Sequence, residues 1–290
     1  MAETVIVRNK IEVVIGPQRP TVIIGERINP TGKEWLKQAI RDGDYERVAN
    51  LARAQVAAGA HIIDVNVMVA GADEVETLPR AVEAIQRAVD VPLCLDCSRP
   101  EALHAALPAC DGKVIVNSVN GDPDKLEVIL PLVRLHKAAV IGLTMDRASG
   151  VPHVAEERVR IASRILEAVT AAGIPASDLI IDCLTLAVSV EPAMGQVALD
   201  TISGVSHSLG LNVNMGVSNV SFGLPERGLF NAAFIAMCQA AGMTCAIVNP
   251  HSRPVLEAIL AADVLLGRDV RARTYLKYYR AQQRAVEAAG

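Results

Sequence analysis

Along the chain, short runs of β-branched and aliphatic residues alternate with longer stretches whose apolar positions recur every three to four residues. This is the pattern of βα units around a parallel sheet, in which strands buried on both faces read as near-continuous apolar runs. Eight strand-like runs can be counted, at 22–26, 61–67, 92–97, 113–119, 139–145, 179–184, 212–219 and 244–249. Helix-periodic segments lie at 44–59, 73–89, 99–109, 123–136, 155–172, 195–209, 228–241 and 253–266. Several carry start or stop signals. Asp122-Pro123 and Ser98-Arg99-Pro100 place a cap before a first-turn proline, while Gly59, Gly173, Gly210, Gly242 and Gly267 stand where helices should stop.

Eight strands with eight helices predict a single α/β domain, a (β/α)8 TIM barrel over residues 21–267. An open doubly wound sheet would need a GxGxxG turn after its first strand, and no such turn is present. Residues 1–20 hold two β-prone runs, TVIV and IEVVIG, separated by Arg8-Asn9-Lys10. They predict a hairpin that closes the N-terminal end of the barrel. Residues 268–290 read as a basic terminal helix.

Composition narrows this picture. The chain is 51% hydrophobic but 3% aromatic, so its core is expected to consist of Val, Ile, Leu and Ala. No apolar run approaches the roughly 18–20 residues that span a bilayer, and the start MAETVIVRNK lacks a signal-peptide pattern, so a cytoplasmic, membrane-free protein is expected. The six cysteines read as small buried hydrophobes without disulfides. Cys94 and Cys97, three apart on a strand, face opposite sides, so no metal site is expected there.

The net charge of −4 argues against a generally basic nucleic-acid binder. The tail is the exception, with six Arg/Lys against Asp269 and Glu287. Its expected role is packing of Tyr275, Leu276, Tyr278 and Tyr279 onto the barrel or a second subunit, which makes a homodimer the expected assembly; docking of an acidic partner is the alternative.

In such a barrel, chemistry sits at the C-terminal strand ends. Read outward, those ends carry Glu26 and Asn29, then Asp64 and Asn66, Asp96, Asn117, Thr144 and Asp146, Asp182, Asn214 with Ser218 and Asn219, and finally Asn249. Carboxylates and amides dominate, with no His triad and no lysine embedded in a strand end. Ionised Asp only accepts hydrogen bonds while Asn both accepts and donates, so the ring suits a flat heterocycle with donors and acceptors on its edge. A pterin fits, because its N3–H and 2-amino group present paired donors to one carboxylate.

These strings resemble the pterin-binding methyltransferases that act on methyltetrahydrofolate and a corrinoid, a family that includes the folate-binding module of cobalamin-dependent methionine synthase and an acetogen corrinoid protein methyltransferase. The resemblance runs in order through IIGERINPTG (23–32), AGAHIIDVNV (58–67), LCLDCS (93–98), IVNSVNG (115–121), IGLTMD (141–146), LIIDCL (179–184) and GVSNVSFGLPERG (216–228). It implies that Asp96, Asn117 and Asp182 hold the pterin ring, that Glu26, Asn29, Asp64 and Asn66 line the pocket, and that Gly216 and Ser218 let the backbone approach the ligand. Asn219 falls where the family places an amide beside N5, and Arg227 matches a family arginine. Glu226 and Phe222 depart from the pattern of some members.

The resemblance further implies methyl transfer between N5 of tetrahydrofolate and the cobalt of a cobalamin or other corrinoid. The corrinoid would be carried on a separate corrinoid-binding protein that meets the rim around 27–35, 146–153 and 221–228. Asn219 would stabilise charge at N5 as catalytic residue, with Asp96 in the proton network. Two alternatives stand beside this. A dihydropteroate synthase would need a mobile Ser/Thr/Arg/Pro-rich loop and a Ser-x-Lys near the seventh strand, neither of which is found. A non-catalytic folate-binding subunit would not require an amide at N5.

Overall fold

The computed structural model describes residues 3–289. Two antiparallel strands, β1 (Thr4–Arg8) and β2 (Ile11–Ile15), form the N-terminal hairpin. Eight parallel strands then close a barrel: β3 (Val22–Ile28), β4 (Ile62–Val65), β5 (Leu93–Asp96), β6 (Ile115–Val119), β7 (Ala139–Leu143), β8 (Leu179–Asp182), β9 (Asn212–Gly216) and β10 (Cys245–Val248), with β10 returning to β3. The expected (β/α)8 barrel is therefore the observed fold.

The helices are α1 (Glu34–Arg41), α2 (Tyr45–Ala57), α3 (Glu74–Ala88), α4 (Pro100–Ala106), α5 (Pro123–Leu135), α6 (Ala155–Ala171), α7 (Met194–Ser203), α8 (Arg227–Ala241), α9 (Arg253–Leu265) and α10 (Arg273–Ala289). Six of the expected segments coincide with single helices, the 99–109 segment is α4 followed by a 3₁₀ turn over Leu107–Ala109, and the 195–209 segment is α7 running on into wider π turns over Gly204–Leu209. Gly173 and Gly210 end their helices at φ +78° and +66°, a backbone region where side-chain-bearing residues are strained. Helix α1 is an addition. It is eight residues long, too short for a periodicity argument to isolate, yet it buries Leu36, Ala39 and Ile40.

Strand side chains alternate between two cores, because successive Cβ atoms point to opposite faces. One set, including Ile63, Leu93, Leu95, Val116, Val140, Ile181 and Val213, packs outward against helical residues such as Leu78, Leu103, Ile129 and Ile165. The other set fills the barrel: Val22, Ile24, Ile62, Cys94, Ile115, Ala139, Ile141, Ile180 and Cys245. Cys94 and Cys97 accordingly lie in different cores.

The hairpin completes the inner core from below. Ile6, Val13 and Ile15 join the interior cluster, and Asn212 Nδ2 at the start of β9 donates to Thr4 Oγ1 at 2.9 Å and to the Ile15 carbonyl at 3.2 Å. Buried Arg8 fastens the same hairpin to the end of α3, donating to the carbonyls of Gln86 (2.8 Å) and Val89 (2.5 Å). At the other end of the chain, Tyr275 and Tyr278 of α10 pack on the outer core. Leu276 and Tyr279, expected to pack with them, are exposed.

Candidate active site

Period-two alternation carries each inward-facing row from apolar residues at the sealed end to polar ones at the open end. Two residues beyond Ile24, Ile62, Cys94, Ile115 and Ile180 stand Glu26, Asp64, Asp96, Asn117 and Asp182, and Asn212 is followed by Asn214. Only β7 and β10 stay apolar, with Leu143 and Ile247. The mouth is a belt of carboxylates and amides resting on a dry aliphatic floor.

The belt is cross-linked by three carboxylate–amide pairs. Asn66 Nδ2 donates to Asp96 Oδ2 at 2.9 Å, Asn117 Nδ2 to Asp64 Oδ1 at 3.3 Å, and Asn214 Nδ2 to Asp182 Oδ2 at 2.5 Å. The second oxygen of Asp182 accepts from the Leu184 backbone N–H at 2.8 Å, and Thr144 Oγ1 donates to the Asp182 carbonyl at 3.2 Å. A fixed amide beside each carboxylate sets which lone pairs remain for a ligand.

Burial raises the pKa of every acid in this group. Asp64 is pushed well up by desolvation, and the charge of Asp96 pushes the same way. Asp96 is raised by desolvation against the opposing bond from Asn66. Asp182 is raised to about 6 by desolvation, opposed by the Leu184 N–H and Asn214. Glu26 is raised by desolvation, while the charges of Arg27, Lys33 and Arg227 pull it down.

A ligand that donates two hydrogen bonds to Asp182 needs the ionised form. Such binding is complete above pH 6 and requires release of a proton below it. Affinity is therefore expected to fall by about tenfold per pH unit below pH 6, which calorimetric titration with methyltetrahydrofolate from pH 5 to 8 would check. An affinity that stays flat down to pH 5 would remove Asp182 from the site.

Beyond β9 the chain enters a single 3₁₀ turn, Val217–Asn219, that carries Asn219 to an exposed position past the C-terminal end of the strand. Arg227 braces this turn: its Nη2 donates to the Ser218 carbonyl at 2.6 Å, its Nε to Ser221 Oγ at 3.0 Å, and its guanidinium lies 5.8 Å from the Phe222 ring centroid. A cavity of about 220 Å³ runs beneath it, lined in part by Glu26, Arg27, Ser218, Arg227 and Asn249. Gly216 has open space where a Cβ would project, so its place is not forced by a protein contact.

Not every expected residue joins the belt. Asn29 Oδ1 accepts from the Thr31 backbone N–H at 2.9 Å, so its side chain shapes the loop after β3. Asp146 pairs with Arg164 at 2.5 Å and accepts from Ser149 N–H, serving the loop after β7. Conversely, Asn214 has a larger part than its place as one more polar strand end suggested, because it is fully buried against Asp182. Lys33 also enters: its Nζ donates to the carbonyls of Arg27 and Asn29 and so holds the first rim loop.

A parallel eight-stranded barrel with a carboxylate–amide belt at its C-terminal mouth is the architecture of pterin-binding enzymes, and the chain belongs to the pterin binding enzyme family, whose model matches residues 25–249. Among curated proteins it is 34% identical over 262 residues to a methylcorrinoid:tetrahydrofolate methyltransferase of Eubacterium limosum, covering 89% of this chain and 96% of that protein. It is 30% identical over 246 residues to methionine synthase of Mycobacterium leprae (strain TN), covering 80% of this chain and 20% of that much longer protein. Among solved structures it is similar to Yersinia pestis dihydropteroate synthase with a pterine-sulfa conjugate, at a TM-score of 0.65 and 18% identity over 90% of this chain and 98% of that one. The last likeness is one of fold.

Proposed function

We propose that this protein is a methyltransferase that moves a methyl group between N5 of tetrahydrofolate and the cobalt of a corrinoid presented by a separate protein. The observation that carries the reading is the belt itself, three carboxylate–amide pairs below an exposed Asn219. The similarity to the methylcorrinoid:tetrahydrofolate methyltransferase along nearly its whole length supports the same reaction.

In this reading Asp182 takes the pterin N3–H and 2-amino group in a charge-assisted fork. Asp96 and Asn117 complete the edge, and Asp64, Asn66 and Asn214 hold those groups in place. N5 is then the atom turned towards the open mouth and Asn219. When the N5–methyl bond breaks, the pteridine nitrogen becomes a poor amine leaving group unless charge on it is met. The Asn219 amide can rotate to donate or accept, so it follows the change at N5 in either direction of transfer, and a donor positioned for the transition state lowers the barrier. The corrinoid supplies the cobalt that gives or takes the methyl group. The exposed rim loops leave room for its carrier to approach.

Mixing the protein with methyltetrahydrofolate and reduced free cobalamin, and following cobalamin absorbance, tests the proposal. Methylation of the cobalamin is expected. No turnover together with no folate binding would overturn it.

A cytoplasmic location and a homodimer belong to the same proposal. No helix among the described residues is long and apolar enough to cross a membrane. For the dimer, the support is α8: after Arg227 it has no charged residue, and it exposes Leu229, Phe230 and Met237 along one face. A charge-free face of this kind is self-complementary about a twofold axis. Sedimentation equilibrium is expected to give a dimer that Met237→Glu converts to monomer; a wild-type monomer at micromolar concentration would refute the assembly.

A further inference from the structure

Arg158, in the first turn of α6, is fully buried, and among the described residues its guanidinium partners include no carboxylate. Its guanidinium binds backbone instead. Nε donates to the Pro152 carbonyl at 2.7 Å, Nη1 to the carbonyls of Cys183 (3.0 Å) and Leu184 (2.8 Å), and Nη2 approaches Met194 Sδ at 3.6 Å. One side chain thus ties the loop after β7, the loop after β8 and the first residue of α7. Burying a charge without a counter-ion is unfavourable, so the arrangement calls for something that it holds in return.

What it holds is a strained turn. Leu184 sits at φ +50°, the left-handed region that a side-chain-bearing residue avoids. In that conformation its N–H points back to Asp182 Oδ1 at 2.8 Å, opposite the bond from Asn214 to Oδ2. The two carbonyls on either side of the Leu184 N–Cα bond are the ones that Arg158 Nη1 pins.

We infer that Arg158 is a positioning residue for the pterin site: by holding Leu184 in its left-handed turn it fixes the direction in which Asp182 presents its carboxylate. The inference rests on the pterin-binding reading of Asp182 and goes beyond it, placing a determinant of affinity on an outer helix. It also couples the loops after β7 and β8, so that a change in one is passed to the other through a single guanidinium.

The test is methyltetrahydrofolate binding by calorimetry to wild type, Arg158→Met, Leu184→Gly and the double variant. Losing the ordered Leu184 N–H at Asp182 is worth about ten- to a hundredfold in affinity, so Arg158→Met is expected to bind at least about tenfold more weakly, and the acid limb of its binding profile is expected to move to higher pH. Glycine adopts positive φ without strain. Leu184→Gly is therefore expected to restore part of the affinity in the Arg158→Met background, an effect that a general packing role for Arg158 would not produce. Should Arg158→Met fail to fold, Arg158→Lys takes its place, since it keeps the charge and cannot bridge two carbonyls with a planar fork. Wild-type affinity in the folded Arg158 variant, or a loss that Leu184→Gly leaves untouched, overturns the inference. Failure of wild type to bind the folate at all would sink the pterin reading instead.

Discussion

Replacing Asn219 with alanine is expected to leave methyltetrahydrofolate binding within a few-fold of wild type and to slow methyl transfer by about a hundred- to a thousandfold. The asymmetry follows from where Asn219 sits. Among the described residues its side chain holds nothing else in place, being exposed at the end of the 3₁₀ turn while Arg227 braces that turn through the Ser218 carbonyl. The carboxylates proposed to hold the ring lie on other strands, so truncation is expected to leave the ligand's main bonds intact. In the proposed role, what disappears is a dipole facing the nitrogen where charge changes, and removal of one such donor typically has an effect of this size. Rapid mixing with free cobalamin, alongside calorimetry, separates the two quantities. A variant that binds and turns over normally would remove Asn219 from the chemistry while leaving the pterin pocket standing.

The second large effect is expected from Asp182→Asn, and its two readouts move in opposite directions. The amide offers a donor where the pterin offers donors, so the charge-assisted fork is lost and affinity is expected to fall by about a hundredfold or more. The unliganded protein, by contrast, is expected to become more stable at pH 7.5. Burial raises Asp182 to about 6 against an ordinary 3.8, so the folded state binds protons more tightly than the unfolded state does. That contribution is fully present below pH 4 and is lost as pH rises through 6, which leaves wild type at neutral pH carrying a buried charge that disfavours folding by about 3 kcal/mol. Substituting a neutral isostere removes that penalty while keeping an acceptor for the Leu184 N–H, so a gain of about 1–3 kcal/mol in urea denaturation is expected. A loss of stability would show that the carboxylate, as an acceptor for Asn214 and Leu184, contributes more to the fold than its burial takes away.

The barrel and most of the belt were legible from sequence for one shared reason. Parallel strands covered on both sides must be apolar along most of their length, so a polar residue that interrupts the pattern near a strand's C-terminal end stands out. Asp64, Asp96, Asn117 and Asp182 all announce themselves in this way. Other features were hidden because their roles are set by partners distant in sequence. Asn29 occupies a strand end like the others, but its bond to Thr31 N–H commits it to the loop. Asn214 looks like one more polar residue in NVNMG until the register of β8 and β9 places it beside Asp182. Arg158 sits in the charged string EERVR at the start of α6, where a solvated role is the natural reading. Its signal was nonetheless present: it lies on the stripe of Ile161, Ala162, Ile165 and Val169, which is the buried face of the helix. A charge on the apolar stripe of an otherwise amphipathic helix marks a side chain with a structural commitment, and here that commitment leads to the site.

The N-terminal hairpin has a consequence for how the chain is made. Thr4 and Ile15 bond to Asn212, some two hundred residues later, and Ile6 and Ile15 are buried among side chains from nearly every strand of the barrel. During synthesis the hairpin therefore emerges before the barrel strands and waits for a binding partner that exists only once the barrel closes. Contacts this distant form slowly, and apolar surface left open meanwhile invites association with other chains. Residues 4–15 are made before every strand of the barrel and are among the last to be shielded from water.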